Sequence, residues 1–345
     1  MSRDVTTGRP LRVTRAQILA FRRRVGALDQ RLPPGRGSLR RAAWAGLQDS
    51  MPRAALLSIH ARLEGTRPSA WDDPSLVQVW GPRYNVYVVA APDLAVFTLG
   101  RLPDGGTTRR KAEDLAARLH LFLNGARMRY DDAGQALGVH GNTLRYAALT
   151  GRLAIRWEGA RRPTVWTVPP PAIDPADATR ELARRYLHIF GPATPAGFGK
   201  WAGIATQQAV RAFDDLRAEL IPVLTPSGDA RMLARDEPTI RETPAPAAAA
   251  RLLPSGDAYT LGITTDDRAL LVPDAGQRRE LWTPRVWPGA LLVAGKVAGT
   301  WRRAGRTVTI QAWQRLSRAA REAVVAEAES LPLPDIGGRI VVHWN

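Results

Sequence analysis

One order of elements recurs along this chain, and that recurrence constrains the fold more than any single segment does. In the clearest copy, residues 111–124, 130–137 and 141–149 have helical periodicity, and 151–157 faces 164–168 across a polar turn at 158–163. Within it, Asp132-Ala133-Gly134-Gln135-Ala136-Leu137-Gly138-Val139 reads as a helix, a tight glycine turn and the entry to a recognition helix capped near Asn142. This is a helix-turn-helix followed by a hairpin wing.

A first copy precedes it. Thr14 suits the N-cap of a helix running to about Gln30 and ended by Leu32-Pro33-Pro34-Gly35, with further helices expected over 38–47 and 52–63. Residues 76–80, 84–90 and 94–99 read as strands separated by Gly81-Pro82 and Ala91-Pro92-Asp93. After the stiff spacer Pro169-Pro170-Pro171 comes a third copy, with helices over 176–190, from Thr194-Pro195 and from Thr206, and a wing from 221–224 and 231–234. A Pro/Ala-rich linker at 238–250 then leads to short β segments alternating with turns up to Gln311, and to a helix over 316–331. The expected fold is therefore α+β: three tandem winged-helix units at 12–105, 106–171 and 172–240, then a β-rich, barrel-like domain at 250–345 carrying a helix.

Composition narrows the partner. With 345 residues the chain is too long for one ordinary core, and no apolar run approaches the roughly 18 residues of a membrane helix. The net charge of +17 points to a polyanion, and of 49 basic residues only Lys111, Lys200 and Lys296 are lysines. A GC-rich genome accounts for the preference of arginine over lysine, but not for the excess of cations over 32 acids. Guanidinium forks suit phosphate contact and narrow minor grooves, so double-stranded DNA is the expected partner, with no membrane partner and a monomeric state.

The absence of cysteine removes disulfides, thiolate metal sites and cysteine nucleophiles. The five histidines show no metal-ligand spacing, and there is neither a phosphate-cradling Gly-Lys loop nor a dinucleotide fingerprint, so no metal and no cofactor is expected. Residues 1–12 are polar and lack the apolar centre of a secretory signal, giving a cytoplasmic, nucleoid-associated expectation.

The segment from Trp44 to Leu63 is the candidate place for chemistry. Gln48, Asp49 and Ser50 lie between apolar segments, and Pro52 disfavours helix at Met51 while suiting the first turn of a helix after it. Two readings stand side by side: helix capping by Asp49 or Ser50, or a break whose side chains point into a cleft.

Gly46-Leu47-Gln48-Asp49-Ser50-Met51-Pro52-Arg53-Ala54-Ala55, with Ala61-Arg62-Leu63 behind it, resembles the signature region of the AlkZ-like (YcaQ-like) bacterial winged-helix DNA glycosylases, where Gln-x-Gln precedes an apolar helix carrying Ala-Arg. Gln48 matches the first glutamine, and Ser50 replaces the second. Phe190-Gly191-Pro192-Ala193-Thr194-Pro195 with Trp201-Ala202-Gly203 is similar to elements of that family's later winged-helix unit. Arg251-Leu252-Leu253-Pro254, Asp257-Ala258-Tyr259 and Val297-Ala298-Gly299-Thr300-Trp301-Arg302-Arg303 are similar to its C-terminal β-domain. The family tends to carry a Thr and a His in the strand after Arg83, from which Asn85 and Tyr87 differ.

The resemblance implies hydrolysis of N-glycosidic bonds of alkylated or bulky purine adducts in DNA repair. Gln48 would hold a water, Asp49 would serve as base or electrostatic stabiliser if it faces the cleft, and Ser50 would complete the catalytic set. Arg53, Arg83 with Tyr84 after Gly81-Pro82, and Arg161 with Arg162 at a wing tip are the expected DNA contacts, set against plain solvation of a surface. Trp44 and Trp80 are candidates to line a base pocket, set against a place in the core. Because Ser50 lacks the amide of a glutamine, a catalytically inactive lesion sensor or regulator on the same scaffold is the alternative.

Overall fold

A computed structural model describes residues 9–51, 53–159, 161–242, 247–333 and 338–345 as a mixed α+β fold in which the described strands form three sheets. Pro52 at the expected helix start, Ala160 in the expected turn, the polar segment before Arg9 and residues 243–246 of the expected linker lie outside the described residues.

The central sheet has six strands in the spatial order Leu47–Gln48, Val86–Ala90, Leu76–Trp80, Leu153–Arg156, Thr164–Thr167 and Met128–Arg129. Leu76 pairs with Ala90 and Trp80 with Val86 in one hairpin; Leu153 pairs with Thr167 in another. The two hairpins are stitched together where Gln78 meets Ile155. There the Trp157 backbone N–H donates to Gln78 Oε1 at 2.6 Å, and Gln78 Nε2 donates to the Trp157 carbonyl at 3.2 Å. A buried amide satisfied at both ends makes this seam rigid.

Helices Arg15–Val25, Arg36–Ala42 and Ala54–Arg62 precede the first hairpin, the first of them closed by a Thr14/Gln17 capping box. Gly106–Leu123 and Tyr130–Ala136 precede the second, with Gly141–Thr150 between them and the hairpin. Pro175–Phe190, Pro195–Ala202 and Thr206–Asp215 precede a hairpin of Leu220–Thr225 and Gly228–Leu233, onto which the N-terminal strand Leu11–Arg12 adds in parallel. Val79, Tyr87, Val89 and Phe97 share one core with Leu182, Tyr186, Phe198 and Trp201, so the first hairpin is packed against helices more than 80 residues later in the chain.

The structure corrects five expectations. Residues 94–99 form the helix Leu94–Thr98 and a 3₁₀ turn, not a strand. Buried Val96 and Phe97 face the helix Pro175–Phe190, and buried Asp93 before them is held by Arg40 and Arg185, so tertiary contacts override a β-prone sequence. Tyr84 belongs to a turn, with the strand starting at Val86. Gly141–Thr150 is 3₁₀ rather than α. The C-terminal sheet is open, in the order Ala250–Leu253, Gly289–Val293, Lys296–Ala304, Thr307–Ala312 and Val341–Trp344, rather than barrel-like. Helix Arg318–Glu329 covers one face through Val324 and Ala328, and the helices Thr265–Leu271 and Ala275–Leu281 replace expected β segments. No described helix is long and apolar enough to cross a membrane.

Candidate active site

Extended backbone at Leu47–Gln48 alternates the side chains, and this decides what the Gln-Asp-Ser segment can do. Leu47 and Asp49 turn inward, whereas Gln48 and Ser50 share the opposite face. Asp49 is 1% exposed: it accepts from the Ala55 backbone N–H at 2.9 Å, from Gln78 Nε2 at 2.7 Å and from Trp71 Nε1 at 3.3 Å. It therefore satisfies a first-turn donor of helix Ala54–Arg62 and does not face the cleft, as the capping reading requires. Burial pushes its carboxyl up to about 6, although three donors and Arg53 pull the other way.

Gln48 sits beside the first hairpin. Arg83 Nη2 donates to its Oε1 at 3.3 Å and the Tyr87 hydroxyl to the same oxygen at 3.4 Å. Burial raises the Tyr87 pKa above its ordinary value against the pull of Arg83, so this hydroxyl is protonated and donates. The Tyr87 ring fits between two glycines: a Cβ at Gly46 would lie 2.9 Å from it and one at Gly81 3.0 Å. Ser50 Oγ donates to Asn85 Oδ1 at 3.4 Å.

The C-terminal domain closes on this group through helix Ala54–Arg62, all of whose residues are buried. Arg62 makes a two-pronged ion pair with Asp257 at 2.6 and 2.8 Å, and Ser58 Oγ donates to the same carboxylate at 2.7 Å. Burial pushes the Asp257 carboxyl up, but Arg62 and Ser58 overcome it and hold it below the usual carboxylate range. The clamp brings Gly256 over Gln48, where a Cβ would stand 3.1 Å from Nε2.

The remaining charge around the site is positive. Arg101 is fully buried, donating to the carbonyls of Ala202 and Trp80 beneath the Tyr84 ring; burial pulls its pKa down to about 10, which leaves it cationic at neutral pH. Arg268 packs on Trp282 and Trp287 close enough to Arg83 for the two charges to oppose each other. Among the described residues, no carboxylate is within ion-pair distance of Arg83, Arg101 or Arg268.

The candidate DNA contacts fall in three places. Tyr84, next to Arg83 in the chain, stacks edge-on against Tyr146 of Gly141–Thr150 at 5.0 Å and packs against the cluster of Leu99, Leu102 and Leu149. The antiparallel register of Gln78 with Ile155 puts the 158–163 turn, with Arg161 and Arg162, at the other end of the sheet. Arg162 pairs there with Asp131 at 2.5 Å. Arg53 lies 3.9 Å above the Trp71 ring, which Arg156 also covers at 3.5 Å. Trp80 is core, packed with Leu115, Leu119 and Ile155, and not a pocket wall; Trp44 lies under Arg185 at 4.3 Å.

A family model described as DNA glycosylase AlkZ-like matches residues 40–332, most of the chain. The chain belongs to the AlkZ-like DNA glycosylase family. The interstrand DNA cross-link repair glycosylase of Streptomyces sahachiroi is 22% identical over 295 residues, spanning 74% of this chain and 78% of that protein. The solved structure of Streptomyces sahachiroi DNA glycosylase AlkZ superposes with a TM-score of 0.79 at 19% identity, covering 97% of this chain and all of the other, which establishes the shared fold.

Within this AlkZ-like chain the sequence did not single out Gly256, Arg268, Trp71 or Tyr146. The first two come from the C-terminal domain, which is held against the N-terminal helices by the Arg62–Asp257, Arg22–Asp267 and Arg31–Glu327 pairs and by a shared core of Leu19, Leu28 and Ala61 with Leu253 and Tyr259. A signal existed in the buried polar residues of an otherwise apolar helix, since Ser58 and Arg62 need partners that the helix itself does not supply.

Proposed function

We propose that this chain is a DNA repair glycosylase that grips duplex DNA with three tandem winged-helix units and hydrolyses the N-glycosidic bond of alkylated or bulky purine adducts. The observation that carries the reading is the shared orientation of Gln48 and Ser50 toward the Arg83–Tyr87 hairpin. Membership of the AlkZ-like family supports the reaction class, and the relative's printed role in interstrand cross-link repair supports a bulky lesion.

In this reading Gln48 touches the reacting centre and Ser50 positions water beside it, while Asp49, buried behind them, fixes the start of helix Ala54–Arg62. Arg83, Tyr84 and Arg53 engage the strand near the lesion, and Arg161 and Arg162 take phosphates at the far end of the sheet. The protein works as a monomer in the cytoplasm, on the nucleoid.

Base release from duplex DNA carrying one adduct tests this. Wild type should generate abasic sites, and Gln48→Ala should abolish release while changing duplex affinity less than about threefold, because an uncharged side chain contributes little to phosphate binding. Wild type that binds adduct DNA yet releases no base would instead favour the sensor, in keeping with the missing amide at Ser50.

A further inference from the structure

Cross-strand pairing places four polar side chains on one face of the first hairpin. Gln48 lies opposite Tyr87, and the ladder continues past the end of the short strand, because the Asp49 backbone N–H donates to the Val86 carbonyl at 2.8 Å. In that antiparallel register the next pair on the same face is Ser50 with Asn85. The side chains follow it: the Tyr87 hydroxyl donates to Gln48 Oε1 at 3.4 Å, and Ser50 Oγ donates to Asn85 Oδ1 at 3.4 Å. Each rung joins one amide to one hydroxyl.

The two rungs are not equally free. A carbonyl oxygen has two lone pairs, and those of Gln48 Oε1 already face Arg83 and Tyr87, while its Nε2 is crowded by Gly256. Gln48 therefore has no acceptor to spare for a water. Asn85 has its Oδ1 on Ser50, and its Nδ2 meets no acceptor among the described residues. Ser50 and Asn85 are half-buried, and Met51 beside them is exposed.

The backbone holds Asn85 in place at a cost. Its N–H donates to the Pro82 carbonyl at 3.2 Å, and its own carbonyl accepts from the Gly81 N–H at 2.9 Å. Arg83 and Tyr84 before it are adjacent non-glycine residues with φ of 54° and 58°, a conformation that hairpins usually assign to Asn-Gly. The turn is braced from behind, since a Cβ at Gly203 would lie 3.1 Å from both the Arg83 Cα and its backbone nitrogen.

We propose that Asn85 is a catalytic residue of this site, the amide that binds the attacking water together with Ser50 and supplies what Ser50 alone lacks. The inference deepens the proposed function and rests on it. Ser50 gives its proton to Asn85 Oδ1 and keeps its lone pairs, which accept one O–H of the water, while Asn85 Nδ2 donates to the water oxygen. The other lone pair of that oxygen is left for C1′. As the C1′–N9 bond of an N7-alkylated purine breaks, its electron pair goes to the ring, which leaves uncharged, and positive charge passes to the sugar. The water oxygen bonds to C1′, and its surplus proton passes to solvent. Asp49, turned into the core, takes no part in that transfer.

The test uses the full-length protein and a duplex carrying one N7-methyl-2′-deoxyguanosine, with the uncleavable 2′-fluoro analogue to read affinity. Single-turnover base release by Asn85→Ser should be about 100-fold slower than wild type, the size expected for one donor lost at a reacting centre. Affinity for the 2′-fluoro duplex should change less than about threefold, because the side chain is uncharged. Moving the amide to the other strand separates chemistry from support: the double variant Ser50→Gln/Asn85→Ser should release base about tenfold faster than Asn85→Ser. A merely structural role for Asn85 would show no such rescue, and affinity would fall along with the rate.

If Asn85→Ser does not fold, Ser50→Gln, outside the strained turn, decides instead. It sets two amides in one place and should slow release about tenfold, whereas release as fast as wild type or faster would mean that Asn85 does not supply the amide. Release that Asn85→Ser leaves unslowed, or slowed release that the double variant does not restore, overturns the inference while leaving the glycosylase reading intact. Wild type that binds the 2′-fluoro duplex but releases no N7-methylguanine overturns that reading, and the inference with it.

Discussion

Asp49 shows how one residue next to a candidate site comes to serve the fold. Its carboxylate is enclosed by three donors, yet burial still lifts its pKa to about 6 from 3.8, so the folded state prefers the protonated form. That preference is worth about 3 kcal/mol; it is fully present below about pH 4 and lost as pH rises through 6. The stability of wild type relative to Asp49→Asn should therefore fall by about 2 kcal/mol between pH 4.5 and 7.5, read from urea unfolding at the two pH values. Taking the difference cancels buried His60, whose pKa burial and the neighbouring arginines push down to about 3 and which titrates identically in both proteins. A difference that does not change with pH would mean that Asp49 is not buried as described. The polar character of 48–50 was legible in the sequence, and so was the capping alternative. Which of the three side chains turns inward was not, because it follows from the pairing of Leu47–Gln48 with Val88 and Tyr87.

At the scale of elements, helix Ala54–Arg62 is the joint between the site and the C-terminal domain. Its apolar face and its approximate start were readable from Pro52 and the Ala-Ala-Leu-Leu run, but the partner of Arg62 lies 195 residues away and no local pattern announces it. Removing the cation leaves Asp257 buried with Ser58 and the Tyr259 N–H as its remaining donors. Arg62→Met should cost about 3–5 kcal/mol, the usual penalty for a buried charge without its counterion. Adding Asp257→Asn removes the stranded charge, so the double variant should be more stable than Arg62→Met alone by about 2 kcal/mol, measured by denaturant unfolding. Strict additivity of the two substitutions would show that the pair does not hold the domains together. The helix Leu94–Thr98 teaches the complementary lesson. Its short, β-prone apolar run fits a strand, but Leu47–Gln48 already occupies the sheet edge beside Val86–Ala90, and the segment packs as a helix against Pro175–Phe190 instead.

For the whole molecule, the sequence exposed the recurring helix and hairpin order, but not the merging of two hairpins into one sheet through Gln78 and Ile155. Under the proposed function, that merger fixes the geometry of DNA binding. It sets the Gln48–Arg83 group at one end of a rigid sheet and Arg161 with Arg162 at the other, so contacts made by both ends belong to a single footprint rather than to independently mobile units. A chain of charge +17 whose cations are nearly all arginine should displace several counterions when both ends engage. For about six phosphate contacts, duplex affinity should fall on the order of 10³-fold between about 50 and 200 mM salt. Replacing Arg161 and Arg162 together by glutamine should lower the slope of log K against log salt by about 1–2 while leaving discrimination between damaged and intact duplex unchanged, because phosphate contacts position and do not read the lesion. A fluorescence anisotropy titration across salt concentrations decides it. If the double variant retains the full slope, the 158–163 turn lies outside the footprint; if it loses discrimination instead, the two ends of the sheet act on the lesion together.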